Sequence, residues 1–124
     1  MENKIREFTD LKCWQKGHWL AIKIYEATKL FPKSEQFGLT IQLRRATVSI
    51  TSNIAEGFSR ASFKDKSRFY SMALGSVTEV QNQLILARDL KYIHTDIFTE
   101  LFNVSVEVNK IINGLIKKSN ELSS

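Results

Sequence analysis

The chain has one cysteine, one proline and five glycines in 124 residues, and it lacks any long uninterrupted apolar run. Each shortage excludes something. A lone Cys13 makes no internal disulfide and has no second cysteine for a zinc site, so the chain suits a reducing compartment and Cys13 reads as a small buried hydrophobe. No stretch approaches the roughly 20 apolar residues that a membrane-spanning helix needs, so no membrane partner is expected. Met1 to Asp10 carries Glu2, Lys4, Arg6, Glu7 and Asp10 instead of the apolar centre of a signal peptide, and the expected location is the cytoplasm. With a single Pro32 and few glycines, long stretches are free of helix breakers.

What is present is helical periodicity in four blocks. The first runs from Asp10, read as an N-cap, to Phe31, where Pro32 blocks continuation. The second spans 35–57, with Ser34 as a cap and Glu35 suited to the positive end of the helix dipole. The third spans 62–90 and opens with Ser62 followed three residues on by Asp65, a shortened capping box. Its stripe is Tyr70, Ala73, Val77, Val80, Leu84 and Ala87. The fourth spans 95–118 and carries Ile97, Leu101, Val104, Val108, Ile111 and Leu115 at alternating steps of four and three. Short connections between long helices predict an all-α fold, an antiparallel up-down-up-down four-helix bundle in a single domain over 1–124. Met1 to Phe8 and Ser119 to Ser124 have the composition of frayed tails.

The second block carries two apolar seams. Leu39, Leu43, Ala46, Ile50 and Ile54 form one face, while Ile41, Val48 and Ala55 recur every seven residues on another. A bundle within one chain uses one stripe per helix, so the second seam predicts an interface with another copy or another partner.

The string Gln42-Leu43-Arg44-Arg45-Ala46, then Ser49-Ile50, then Asn53-Ile54-Ala55-Glu56-Gly57 resembles the signature of the S23 ribosomal, or 23S rRNA intervening-sequence, family. Leu11 with Trp14, Tyr25, Phe31-Pro32, Phe37-Gly38-Leu39, Gly75-Ser76 and Glu79 agree with it in order and spacing. Gly17 and Cys13 depart from it, at first-helix positions where small or aliphatic residues are usual. The resemblance implies a left-handed four-helix bundle assembling as a ring-like homo-oligomer, pentameric in known relatives. It also implies company with nucleic acid, since some family genes lie inside insertions in the large ribosomal RNA gene. A similar bundle is the accessory protein of diversity-generating retroelements.

The net charge is +5, and it is unevenly placed. Between Arg44 and Arg68 six basic residues, Arg44, Arg45, Arg60, Lys64, Lys66 and Arg68, stand against Glu56 and Asp65. Guanidinium and ammonium groups in such a cluster suit a phosphate backbone, the alternative being a solvated charged surface or an inter-subunit salt bridge from Arg44 or Arg45 to Glu56. Adjacent helix residues point about 100° apart, so Arg44 and Arg45 do not serve one face. Phe58 and Phe63 flank the turn and are read as exposed, whereas Phe69 and Tyr70 are read as core.

Ser49, Asn53, Glu56, Ser76 and Glu79 form a polar set across the second and third helices. Two facing carboxylates suit metal binding or acid and base work. Bundle metal sites, however, add Glu-x-x-His pairs, and His18 and His94 stand alone. The set therefore reads as hydrogen bonding that fixes register, with no metal, cofactor or catalytic residue expected. The predicted function is a non-enzymatic homo-oligomeric bundle contacting RNA or DNA through its basic surface. The alternative is a scaffold or accessory subunit for a protein partner that binds no nucleic acid.

Overall fold

The computed structural model describes residues 4–123, and among them are four α-helices and no strand. The helices are α1 (Lys12–Thr28), α2 (Leu39–Ser59), α3 (Phe63–Asp89) and α4 (Thr95–Ser123). Asp10 does not cap α1. Its Oδ2 accepts from the backbone N–H of Arg6 at 2.9 Å and of Glu7 at 3.0 Å, closing a separate 3-10 turn over Phe8–Asp10. Those two donors hold the Asp10 carboxyl below its ordinary range. α1 ends three residues before Phe31, where Thr28 Oγ1 donates back to the Ile24 carbonyl at 2.7 Å.

Ser34 is likewise not the cap of α2. It lies in a 3-10 turn over Lys33–Glu35, and Glu35 reaches forward so that its Oε1 accepts from the Leu39 N–H at 3.1 Å. Ser62 does cap α3, its Oγ accepting from the Asp65 N–H at 3.1 Å. α3 ends in a Schellman turn, with the Tyr92 N–H bonded to the Ala87 carbonyl and the Lys91 N–H to that of Arg88. Lys91 occupies the left-handed position there, at φ 63°. Ser119 to Ser123 continue α4 instead of forming a tail; the readings of Met1–Asn3 and Ser124 as tail lie outside the described residues.

Each helix packs against its neighbours in order, α1 on α2, α2 on α3 and α3 on α4, and α1 also meets α4. The diagonal pairs make no close approach, so the four helices occupy the corners of a square. One apolar cluster fills it, with Leu20, Ile24, Leu43, Ile50, Ile54, Val77, Val80, Leu84, Leu101, Val108 and Ile112 all buried. Each such side chain contributes about 1.5–3 kcal/mol on burial. Cys13 and Tyr70 lie in the same interior, and burial pushes the thiol up to about 11 and the phenol to about 12.

The core seam of α4 is Phe98, Leu101, Ser105, Val108, Ile112 and Ser119. Three of the residues expected there, Val104, Ile111 and Leu115, are only partly buried, and Ile97 is exposed. Two small serines, Ser105 and Ser119, are buried in the seam beside the apolar residues. Ser105 Oγ donates to the Phe102 carbonyl at 2.6 Å and accepts from Gln81 Nε2 at 3.0 Å, so burial leaves it satisfied.

Candidate nucleic-acid interface and assembly faces

The six basic residues of the second and third helices do not form one patch. Arg44 is turned onto α1, where its Nε donates to Thr28 Oγ1 at 2.8 Å and its guanidinium lies 4.6 Å from the Tyr25 ring centre. Lys66 points back at the end of α2. Its Nζ donates to the Phe58 carbonyl at 2.6 Å and the Gly57 carbonyl at 3.5 Å, and desolvation lowers its pKa. Arg45 is exposed, but fifteen residues separate it from Arg60, about 22 Å along the helix axis.

Three cations remain together at the turn between α2 and α3. Arg60 pairs with Glu56 at 3.0 Å and Arg68 with Asp65 at 3.4 Å. Both guanidiniums lie 4.5 Å from the centre of the Phe69 ring, so this aromatic is half-buried under arginine and not part of the core. Lys64 is exposed and carries no ion pair among the described residues. Phe63 beside it is 40% exposed, whereas Phe58 packs partly buried against the core.

The fold adds cations that periodicity does not connect. Ser67 Oγ donates to Asn120 Oδ1 at 2.8 Å, which lays the last turns of α4 beside the first turns of α3. Lys117, exposed and one turn before Asn120 on the same side of α4, joins Arg60, Lys64 and Arg68 at one end of the bundle, whereas Lys118, also exposed, points about 160° away from Asn120. Cations near a helix C-terminus also meet the negative end of its dipole, which favours their placement. No local signal reveals this meeting, because it depends on a contact across 53 residues.

The polar set divides. Ser76 Oγ donates to Ser49 Oγ at 2.9 Å, and Asn53 Nδ2 donates to the same oxygen at 3.0 Å, which ties three of the five residues together across α2 and α3. Glu56 is taken by Arg60, and Glu79 accepts from Gln83 Nε2 at 3.3 Å. The two carboxylates therefore answer to different partners. Among the described residues no three His, Cys, Asp or Glu side chains gather as metal ligands would. Nor is any helix among them long and apolar enough to cross a membrane.

Ile41, Val48 and Ala55 lie on the outer side of α2, Val48 at 42% exposure and the other two half-buried. Ile22 and Tyr25 of α1 are exposed alongside them. Between the helices run two cavities of about 540 and 390 Å³ that share Tyr25 as a wall. The larger takes in Ile22 and Val48, the smaller Ile41 and Phe37, which is 84% exposed.

The model of the family described as 23S rRNA-intervening sequence protein matches residues 9–114. Among solved structures, the chain is similar to a protein of unknown function from the S23 ribosomal protein family of Bacteroides thetaiotaomicron VPI-5482. The two are 27% identical, with a TM-score of 0.78 over 85% of this chain and 98% of the other. Among curated proteins nothing matches.

Proposed function

The chain belongs to the 23S rRNA-intervening sequence protein family, and on that premise we propose that it is a non-enzymatic, homo-oligomeric bundle that contacts RNA or DNA. The observation that carries the nucleic-acid reading is the meeting of Lys117 with Arg60, Lys64 and Arg68 at one end of the square. Clustered cations release counterions when they neutralise phosphates, and this term supplies most of non-specific nucleic-acid affinity. An exposed Phe63 among them offers an unpaired base a surface to stack on. No recognised reading motif is present in the sequence, so the proposed contact is chiefly with phosphates and does not select a base sequence.

Self-association is the second part of the proposal, and the outer α1–α2 face supports it. Phe37, Ile22, Tyr25 and Val48 form a run of exposed apolar surface that nothing among the described residues covers. The number of copies, five by family resemblance, belongs to the same reading, as do a single domain over 1–124 and a cytoplasmic location. So does an antiparallel up-down-up-down course. The order of contacts supports that course: Ser49 meets Ser76 while Gly57, further along α2, meets Tyr70, earlier in α3. Gln81 likewise meets Ser105 while Ser67 meets Asn120.

The alternative is a scaffold for a protein partner with no nucleic-acid contact. It draws support from the internal engagement of Arg44 and Lys66, which removes two of the six cations from the surface. Light-scattering chromatography, alone and with a mixed RNA and DNA pool at low and high salt, decides between them. A multimer that gains mass with nucleic acid and loses it with salt is the expected result. A multimer indifferent to nucleic acid at low salt establishes the scaffold, and a monomer refutes self-association.

A further inference from the structure

We propose that the groove between the end of α1 and the start of α4 docks a short segment of a protein partner, one that carries large apolar side chains beside Lys or Arg. The site goes beyond the nucleic-acid reading and does not depend on it. A cavity of about 300 Å³ lies there, at the lower end of the range for ligand pockets, and its walls include Leu30, Tyr92, Ile93, Ile97 and Leu101. Leu30 is 84% exposed and Ile97 45%, so two large aliphatic side chains meet water in the groove. Ile97 has the spacing of a core residue, yet it lines this groove and not the interior.

The fold holds the groove open without an occupant. Tyr92 is fixed three ways: its N–H bonds to the Ala87 carbonyl at 2.9 Å, its hydroxyl donates to Glu35 Oε2 at 3.0 Å, and its ring centre lies 5.5 Å from that of Phe31. Ile93 and Leu101 are buried and join the groove to the core. Walls fixed in this way lose little side-chain freedom on binding, so more of the apolar gain is left as affinity.

Charge specifies the occupant. The walls also hold Lys23, Glu26, His94 and Glu100. Lys23 is paired with Glu26 at 3.6 Å, and His94 Nδ1 accepts from the Asp96 N–H at 3.3 Å. Lys29 of α1 lines the larger α1–α2 cavity instead. Glu100 is exposed and has neither an ion pair nor a hydrogen bond among the described residues. An occupant that covers Leu30 and Ile97 takes water from that carboxylate, which is costly unless the occupant brings a cation. The chain as a whole carries +5, so an acidic groove is the complement of a basic partner and not of the chain's own prevailing charge. Lys117 lies twenty residues beyond Ile97, about 30 Å along α4, so the cationic end and this groove serve different occupants.

Fluorescence polarisation with two labelled amphipathic helical peptides tests the site, one of leucine and lysine and one in which glutamate replaces every lysine. The lysine peptide is expected to bind. Ile97→Ser combined with Glu100→Lys is expected to weaken it about tenfold or more, with helical circular dichroism unchanged because both positions are exposed. Leu30→Ser is expected to weaken it as well, whereas Leu122→Ser, an exposed apolar position at the far end of α4, is expected to leave it unchanged. Absence of binding, equal binding of the glutamate peptide, or wild-type affinity in the double variant each overturns the proposal. So does a smaller oligomer in the double variant, which assigns the groove to a contact between copies. Lys64→Glu combined with Lys117→Glu separates the site from the cationic end. Unchanged peptide affinity is expected there, and markedly tighter binding overturns the groove by showing that bulk charge draws the peptide. Loss of nucleic-acid binding in that chain bears on the nucleic-acid reading alone.

Discussion

The ammonium of Lys66 donates to the Phe58 carbonyl at 2.6 Å, closing the end of α2 from the first turns of α3. A helix end leaves its last carbonyls without intrahelical partners, and a lysine brought from the next helix supplies one. Lys66 thus belongs to the hairpin between α2 and α3 more than to the basic surface. Lys66→Met is expected to lower stability by about 1 kcal/mol, read as a lower Tm, with nucleic-acid affinity unchanged. Lys64→Glu combined with Lys117→Glu is expected to do the reverse. It should leave Tm within about a degree or two and flatten the salt dependence by roughly one unit for each phosphate that is no longer neutralised.

Lys91 holds a left-handed backbone at φ 63° where glycine is the usual occupant of a Schellman turn. Lys91→Gly should therefore stabilise the protein by about 0.5–1 kcal/mol, after the greater flexibility of glycine in the unfolded chain is offset against relief of strain. Denaturant unfolding, with an increased midpoint at constant slope, checks it.

Gly57 and Gly114 are both helical, yet opposite outcomes are expected on substitution by alanine. At Gly57 a Cβ would lie 2.7 Å from Tyr70 Cε1 and 3.2 Å from the Lys66 carbonyl oxygen, so the buried tyrosine must move. Overpacking of this kind costs about 1–3 kcal/mol. At Gly114 nothing lies within 4 Å, and alanine should gain about 0.5–1 kcal/mol. Thermal unfolding of the two variants should move Tm in opposite directions.

Cys13 should resist alkylation in the native protein at about pH 8. Burial raises its pKa from 9.0 to about 11, which lowers the thiolate fraction about a hundredfold before access is considered. Because the folded value is the higher one, the stability linked to the neutral thiol is complete below about 9 and is lost as pH rises toward about 11. Native labelling with iodoacetamide at the rate of the unfolded chain would contradict the buried position.

How much of this was legible in the sequence depends on whether the relevant force is local. Helix number and the stripes of α2 and α3 follow from apolar spacing, and Ser62 from its spacing to Asp65. In α4 the expected Leu101 and Val108 are in the seam, but Ile97, Val104 and Ile111 give way to Phe98, Ser105 and Ile112 one residue on, and the buried Ser105 and Ser119 count as polar in any hydrophobic pattern. Asp10 and Ser34 have the chemistry of caps, but 3-10 turns intervened and Leu11 and Gly38 took those positions. The basic cluster was the least legible part. Side-chain length decided that Arg44 reached α1 and Lys66 reached α2, and only a contact between Ser67 and Asn120 brought Lys117 into range.

Because each helix packs against the helix next to it in sequence, most of the core is made of contacts between segments that are already close along the chain. Little loop entropy stands in the way of each hairpin, and helical proteins of this kind fold within microseconds to milliseconds. Docking of α1 on α4 joins the most distant segments and is the natural last step, sealed at its surface by Lys16 and Glu107 at 2.6 Å. Until it happens, the chain can hold the α1–α2, α2–α3 and α3–α4 hairpins while the inner faces of α1 and α4 stay open to water. The α1–α4 seam is thus the place where the bundle can open and wet its core without breaking any hairpin.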